Sequence, residues 1–242
     1  MYAVRFILEK RNSPARRGVL GGILRVGLHR MVIVIEFGCA VHEYVERGSG
    51  LVFPRPTECP HCRVVDQFIG HGFYPRQALH QTQVYVLRLK RWYCKACHAT
   101  VSLLPSFMLR FRHYLLDVIQ RVVVTRFEDA ASWGQVARRC AVDGAPSSRT
   151  MRRWCDALAE HASAWWAAVQ QTVAQHDTGS PWLDPLGETA GPREAPRAVL
   201  QAALHLLAWA KTRWAELATY GLADRLRFLW HWGAGRGLGR LI

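Results

Sequence analysis

Four cysteines in two pairs, Cys59-Pro-His-Cys62 and Cys94-Lys-Ala-Cys97, are the residues of this chain best equipped for chemistry. A Cys-x-x-Cys turn bends the backbone so that both sulfurs face one ion. Two such turns supply the four thiolates of a tetrahedral zinc site with Zn–S distances of about 2.3 Å. Four sulfurs leave no coordination position open, so the expected role is structural, with the metal contributing roughly 10–16 kcal/mol to the folding of a small module. We expect one zinc ion per chain, held by Cys59, Cys62, Cys94 and Cys97. His61 and His98 flank the thiols and are expected to be knuckle or surface residues. Disulfides fit poorly with an odd count of seven cysteines. A redox pair should open a helix within a βαβ pattern, whereas the first pair here follows Phe53-Pro-Arg-Pro56 and the second follows a strand-like run. Cys39, Cys140 and Cys155 are left over and are expected to be small buried hydrophobes.

The elements that must position these sulfurs follow from the intervening chain. Its 31 residues exceed the roughly 15–20 of the commonest zinc pattern. The β-rich run from Thr82 to Tyr93 leads straight into the second pair and predicts a zinc ribbon with a long hairpin. The whole chain is expected to be α+β. A ribbon with an N-terminal strand should span 31–106, a helical helix-turn-helix domain 107–176, a linker 177–196, and a helical hairpin with a flexible tail 197–242. Val32 to Phe37 is expected to form the N-terminal strand, and Pro54 and Pro56 close the loop before the ribbon.

In the helical part, Leu115, Leu116, Val118, Ile119, Val122 and Val123 recur at helical spacing. Ser132 has the character of an N-cap for a short helix that includes Trp133, Val136 and Cys140. After the turn Val142-Asp-Gly-Ala-Pro146, a long helix is predicted from Ser147 past Trp165. Met151, Trp154, Cys155 and Leu158 form its inward stripe at spacings of three and four. Arg149, Arg152 and Arg153 then point outward near the helix start, with Ser148 and Thr150 beside them, where a recognition helix places its base and phosphate contacts. Arg88, Lys90 and Arg91 are expected to add a phosphate track along the ribbon. Trp92 is a candidate for stacking on a base, while Trp133, Trp154, Trp209 and Trp214 fall at core spacing.

The formal charge of +14 points to a polyanionic partner, since such charge attracts and holds phosphates. Residues 1–30 carry seven Lys and Arg against Glu9 alone, leaving only +8 for the rest. That segment is expected to be a disordered basic tail or an extension upstream of a start at Met31. No uninterrupted apolar stretch approaches the ~20 residues needed to span a bilayer, so a cytoplasmic, nucleoid-associated protein is expected. The Gly233-Ala-Gly-Arg-Gly-Leu-Gly239 run lacks the order of a dinucleotide-binding loop and opens no helix.

Cys-Pro-His-Cys62, Arg91-Trp-Tyr-Cys-Lys-Ala-Cys97, Leu103-Leu-Pro-Ser-Phe107 and Ser148-Arg-Thr-Met-Arg-Arg-Trp154 together resemble the zinc-ribbon and helix-turn-helix front end of bacterial insertion-sequence transposases. They also resemble an uncharacterised bacterial family of that architecture. The likeness covers about residues 31–170 and implies binding to the ends of a mobile element. A complete transposase would add a ribonuclease-H-like domain with an acidic triad. Past residue 176 the acids are Asp177, Asp184, Glu188, Glu194, Glu216 and Asp224, in a linker and in helices without strands.

The expected function is therefore a non-catalytic, zinc-stabilised protein that binds double-stranded DNA and is related to mobile elements. It could dimerise through the C-terminal helices. Two other readings are a protein-interaction adaptor using the ribbon and those helices, and a fragment of a transposase or nuclease.

Overall fold

Alternation along Gln83–Cys94 dictates the first decision of the fold. Leu87 and Leu89 are buried while Val84, Val86 and Arg88 are exposed, the period-2 pattern of a strand with one face on a core. The computed structural model describes residues 31–180, 194–215, 217, 220–236, 238 and 240–242. The basic tail expected at 1–30 and most of the expected linker lie outside the described residues.

Among the described residues the sheet has four strands in the order β1-β4-β3-β2. They are β1 (Met31–Ile35), β2 (Phe68–His80), β3 (Gln83–Cys94) and β4 (Thr100–Pro105). β2 and β3 form an antiparallel hairpin running from His80 opposite Gln83 to Phe68 opposite Cys94. Its two-residue turn is Gln81-Thr82, with Gln81 at φ +53°. β4 runs antiparallel to β3, and β1 lies parallel to β4. The fold is thus α+β, as the sequence predicts.

β2 is the longest strand among the described residues, the arm of the expected hairpin whose bounds the sequence does not mark. Gly70, Gly72 and Pro75 disguise it. As an edge strand it tolerates the missing N–H of Pro75, and a register shift between Gly70 and Phe73 absorbs the glycines. A short helix, α1 (Val41–Arg47), also interrupts what the sequence reads as a loop. Its Tyr44 is buried, donates a hydrogen bond to the Arg88 carbonyl at 2.9 Å, and sits among the rings of Phe37, Phe53 and Phe107.

The helical layer begins where the hairpin tip is tied down. Leu79 N–H donates to the His113 carbonyl, and Leu115 N–H donates back to the Leu79 carbonyl, each at 2.8 Å. Then follow α2 (Leu116–Phe127), α3 (Trp133–Cys140), α4 (Ser148–His176), α5 (Ala195–Arg213) and α6 (Arg225–Gly235). Ser132 caps α3 in a reciprocal box with Gln135, satisfying two backbone donors at once. Ser147 caps α4 by accepting from Thr150 N–H. The inward stripe of α4 is as expected, with Met151, Trp154, Cys155 and Leu158 all buried. Cys39, Cys140 and Cys155 are likewise buried.

The core crosses the expected module boundaries. One cluster of buried side chains runs from Cys39 and Leu87 through α2 to α6 and on to Ile242, and a small second cluster of Cys59, Phe68, Cys94 and Val101 lies under the ribbon. α5 packs on α4, and α6 packs on α5, α2 and β1, so the C-terminal helices turn apolar faces inward. Two further corrections concern this end, where α5 stops at Arg213. Trp214 lies beyond it, 39% exposed rather than in the core. The tail expected to be flexible is packed where it is described: α6 extends through Gly233 to Gly235, and Leu241 and Ile242 are buried.

Candidate metal centre and basic surface

The two cysteine turns share one backbone pattern. Cys59 N–H donates to the Val64 carbonyl and Arg63 N–H to the Cys59 carbonyl. Cys94 N–H donates to the Ala99 carbonyl and His98 N–H to the Cys94 carbonyl. Each turn is closed by a residue in the left-handed region, Arg63 at φ +63° and His98 at φ +61°. This reversal is what aims both sulfurs of a pair to one side. The role of Arg63 and His98 as turn-closing residues is invisible in a pattern that looks only for cysteines. His98 does not join the sulfurs; its Nδ1 lies 2.5 Å from the Tyr93 hydroxyl.

The four sulfurs of Cys59, Cys62, Cys94 and Cys97 all lie within 4.8 Å of one another. The Cys59–Cys97 and Cys62–Cys94 distances are 3.7 and 3.8 Å. A tetrahedron with metal–sulfur bonds of about 2.3 Å has edges of about 3.8 Å, so the set can hold a metal ion. Electrostatics agree with the geometry. Burial would push the Cys94 thiol up, but the N–H groups of Cys97 and Ala96 and the neighbouring thiols bring it to about 7. Burial and the three facing sulfurs push Cys97 up to about 12. Four crowded sulfurs cannot all carry charge without a cation to share. Phe68 and Val101 are buried beneath them, which keeps water from one side of the site.

The basic residues fall into two groups. Arg149, Arg152 and Arg153 are all exposed on the first turns of α4, at spacings of three and four that place them on one face. Arg152 lies 4.4 Å over the Trp133 ring, and Arg126 lies 5.1 Å from the same ring. Ser148 is exposed beside them, whereas the Thr150 hydroxyl is engaged with Ser147 Oγ at 3.0 Å. On the ribbon, Arg88 and Lys90 both stack on Phe73, at 4.9 and 4.6 Å. Arg91 departs from the expected track. Strand alternation turns it to the opposite face, with Leu87 and Leu89, where it lies over Tyr74. Trp92 is half-buried with Lys90 5.1 Å from its ring.

With this geometry in place, comparison with known proteins locates the same region. Residues 59–154 match a family model described as a domain of unknown function, DUF6431. The matched stretch begins on the first cysteine of the cluster and ends on Trp154, so it takes in the sulfur site, the hairpin, α2, α3 and the arginine-bearing start of α4. No curated protein and no solved structure matches the chain.

Proposed function

We propose that this chain is a zinc-stabilised, non-catalytic protein that binds double-stranded DNA, related to the DNA-binding front end of mobile-element transposases. The carrying observation is the start of α4. Three arginines stand exposed on one face while Met151, Trp154, Cys155 and Leu158 on the other face are buried. This is the division of labour of a helix that presents its N-terminal residues to a duplex. Zinc is the metal favoured by four thiolates in a closed tetrahedral set, and that set has no open position for metal-assisted hydrolysis. Arg149, Arg152 and Arg153, with Ser148, would touch the duplex, and Arg88 and Lys90 would supply further phosphate contacts. No helix among the described residues is long and apolar enough to cross a membrane, and a nucleoid location suits a duplex-binding role.

A mobility-shift titration with random duplex fragments across a salt series tests the reading, on protein whose bound metal is quantified by elemental analysis. One zinc per chain is expected, with affinity falling steeply as salt rises, at a slope near −0.9 per phosphate contacted. Zinc without salt-sensitive DNA binding would overturn it and favour an adaptor role.

A further inference from the structure

The segment between β4 and α2 carries a phenylalanine in an unusual state. Phe111 is 63% exposed and sits at φ +64°, a left-handed conformation that costs a bulky residue energy and marks positions held for a purpose. Its surroundings hold it there. Arg76 Nη2 donates to the Leu109 carbonyl at 2.8 Å and to the Arg112 carbonyl at 2.7 Å, clamping the backbone on either side of the ring. The fold thus keeps a large apolar ring in solvent instead of letting the turn relax.

Beside the ring opens a cleft of about 420 Å³, within the range of small-molecule sites. Its floor is apolar and includes Val34, Leu109, Trp230 and Leu241, and its rim carries Arg110, Phe111 and Arg240. Arg110 and Arg240 lie 4.6 and 5.9 Å from the Phe111 ring. The Arg240 backbone is fixed by a hydrogen bond from Trp165 Nε1 at 3.0 Å. Arg112, next in the chain, is half-buried, and burial, with the charges of Arg240 and of Arg153 on α4, lowers its pKa. Among the described residues no ion pair engages Arg112, Arg153 or Arg240. An apolar floor, an exposed aromatic ring and three nearby arginines, Arg112, Arg153 and Arg240, in no ion pair among the described residues match a base with its phosphates better than an apolar peptide.

We propose that this cleft binds the base of an unpaired nucleotide, stacked on Phe111, with Arg112, Arg153 and Arg240 on the flanking phosphates. The protein then reads a single-stranded segment beside the duplex contacted by α4. The proposal rests on the nucleic-acid reading above for its class of ligand, while its residues are distinct except for Arg153.

Fluorescence anisotropy with a short oligothymidylate, an abasic strand of equal length and a blunt duplex tests it on the full chain. The wild type should bind the oligothymidylate at least about five-fold more tightly than the abasic strand, the lower end of a single stacking contact. Phe111→Ala and Phe111→Gly should both abolish that difference and leave duplex affinity unchanged. The glycine variant also relieves the left-handed backbone, so loss of folding cannot explain the result. Equal affinity of the wild type for the two strands overturns the proposal even if duplex binding persists. Absent duplex binding with the base preference intact overturns the α4 reading instead. Concentration-dependent dimerisation lost on Phe111→Ala, with no base preference, would assign the cleft to self-association and also overturn the proposal.

Discussion

The Arg152 guanidinium lies 4.4 Å over the ring of Trp133, so a side chain at the start of α4 is held by the first residue of α3. A cation over an exposed aromatic face contributes about 0.5–1 kcal/mol and restricts where the arginine can reach. α3 therefore orients a group that α4 would present to DNA. Arg152→Ala should weaken duplex binding similarly across sequences and reduce the magnitude of the salt slope by about 1, the signature of one lost phosphate contact. Arg152→Lys should restore part of the affinity, because it keeps the charge but not the planar stack. A salt series on the three proteins reads both effects, and an unchanged slope for Arg152→Ala would sink the assignment.

The sulfur cluster predicts a local, not global, dependence on metal. Its small core of Cys59, Phe68, Cys94 and Val101 is separate from the larger cluster that binds the helices together. Cys94→Ser, or removal of metal with a chelator, should release the metal and loosen the two cysteine turns and the adjoining ends of β2 and β3. The helical far-ultraviolet signal should largely persist, since α2 to α6 bury their faces against one another. Elemental analysis with circular dichroism checks this. Complete loss of helix on chelation would mean that the ribbon and the helical layer fold as one unit.

Much of this site was legible in the sequence, because metal ligation and helix capping are local. Cys59, Cys62, Cys94 and Cys97 declare themselves by spacing, and Ser132 and Ser147 declare the starts of α3 and α4. What escaped depends on partners distant in sequence. β2 is masked by Gly70, Gly72 and Pro75, which only an edge position with a bulge can absorb. The facing of Arg91 follows from a strand register that neighbouring arginines obscure. The packed C-terminus depends on Trp165, which lies 75 residues before the Arg240 carbonyl it binds.

Glu36 gives the fold a defined response to acid. Its carboxylate is 9% exposed and pairs with Arg227 of α6, and it also accepts from Ser106 Oγ at 2.5 Å, the Tyr220 hydroxyl at 2.6 Å and Gly38 N–H at 2.8 Å. Burial pushes its pKa up, but Arg227 and these donors outweigh burial and hold it below the usual carboxylate range. The folded state therefore binds this proton less readily than the unfolded chain. The stabilisation is present above the unfolded value of about 4.3 and is lost as pH falls through the folded value. His231, whose Nδ1 is 3.2 Å from the Tyr220 hydroxyl, is lowered chiefly by burial, so its neutral form is favoured and destabilisation starts as pH falls below about 6.5. Urea midpoints across pH should show both limbs. Glu36→Gln should cost about 3–5 kcal/mol by stranding Arg227, flatten the carboxylate limb and, because the Glu36 charge raises His231, carry the His231 limb further toward acid.

Gly233 is required by a close approach between α6 and α4. A Cβ at this position would lie 2.1 Å from Cζ3 and 2.3 Å from Cη2 of Trp165, far inside contact distance. Trp165 cannot yield cheaply, because it is buried and its Nε1 holds the Arg240 carbonyl. Gly233→Ala raises intrinsic helix propensity by about 1 kcal/mol, so on local grounds it should stabilise α6. The clash should win, because overpacking a well-filled core costs typically 1–3 kcal/mol and here also disturbs the segment that carries Arg240. A net loss of stability in urea, accompanied by weaker oligothymidylate binding with duplex binding retained, is the expected result. A gain in stability would show that α6 can slide along α4 and that the glycine is not needed for their approach.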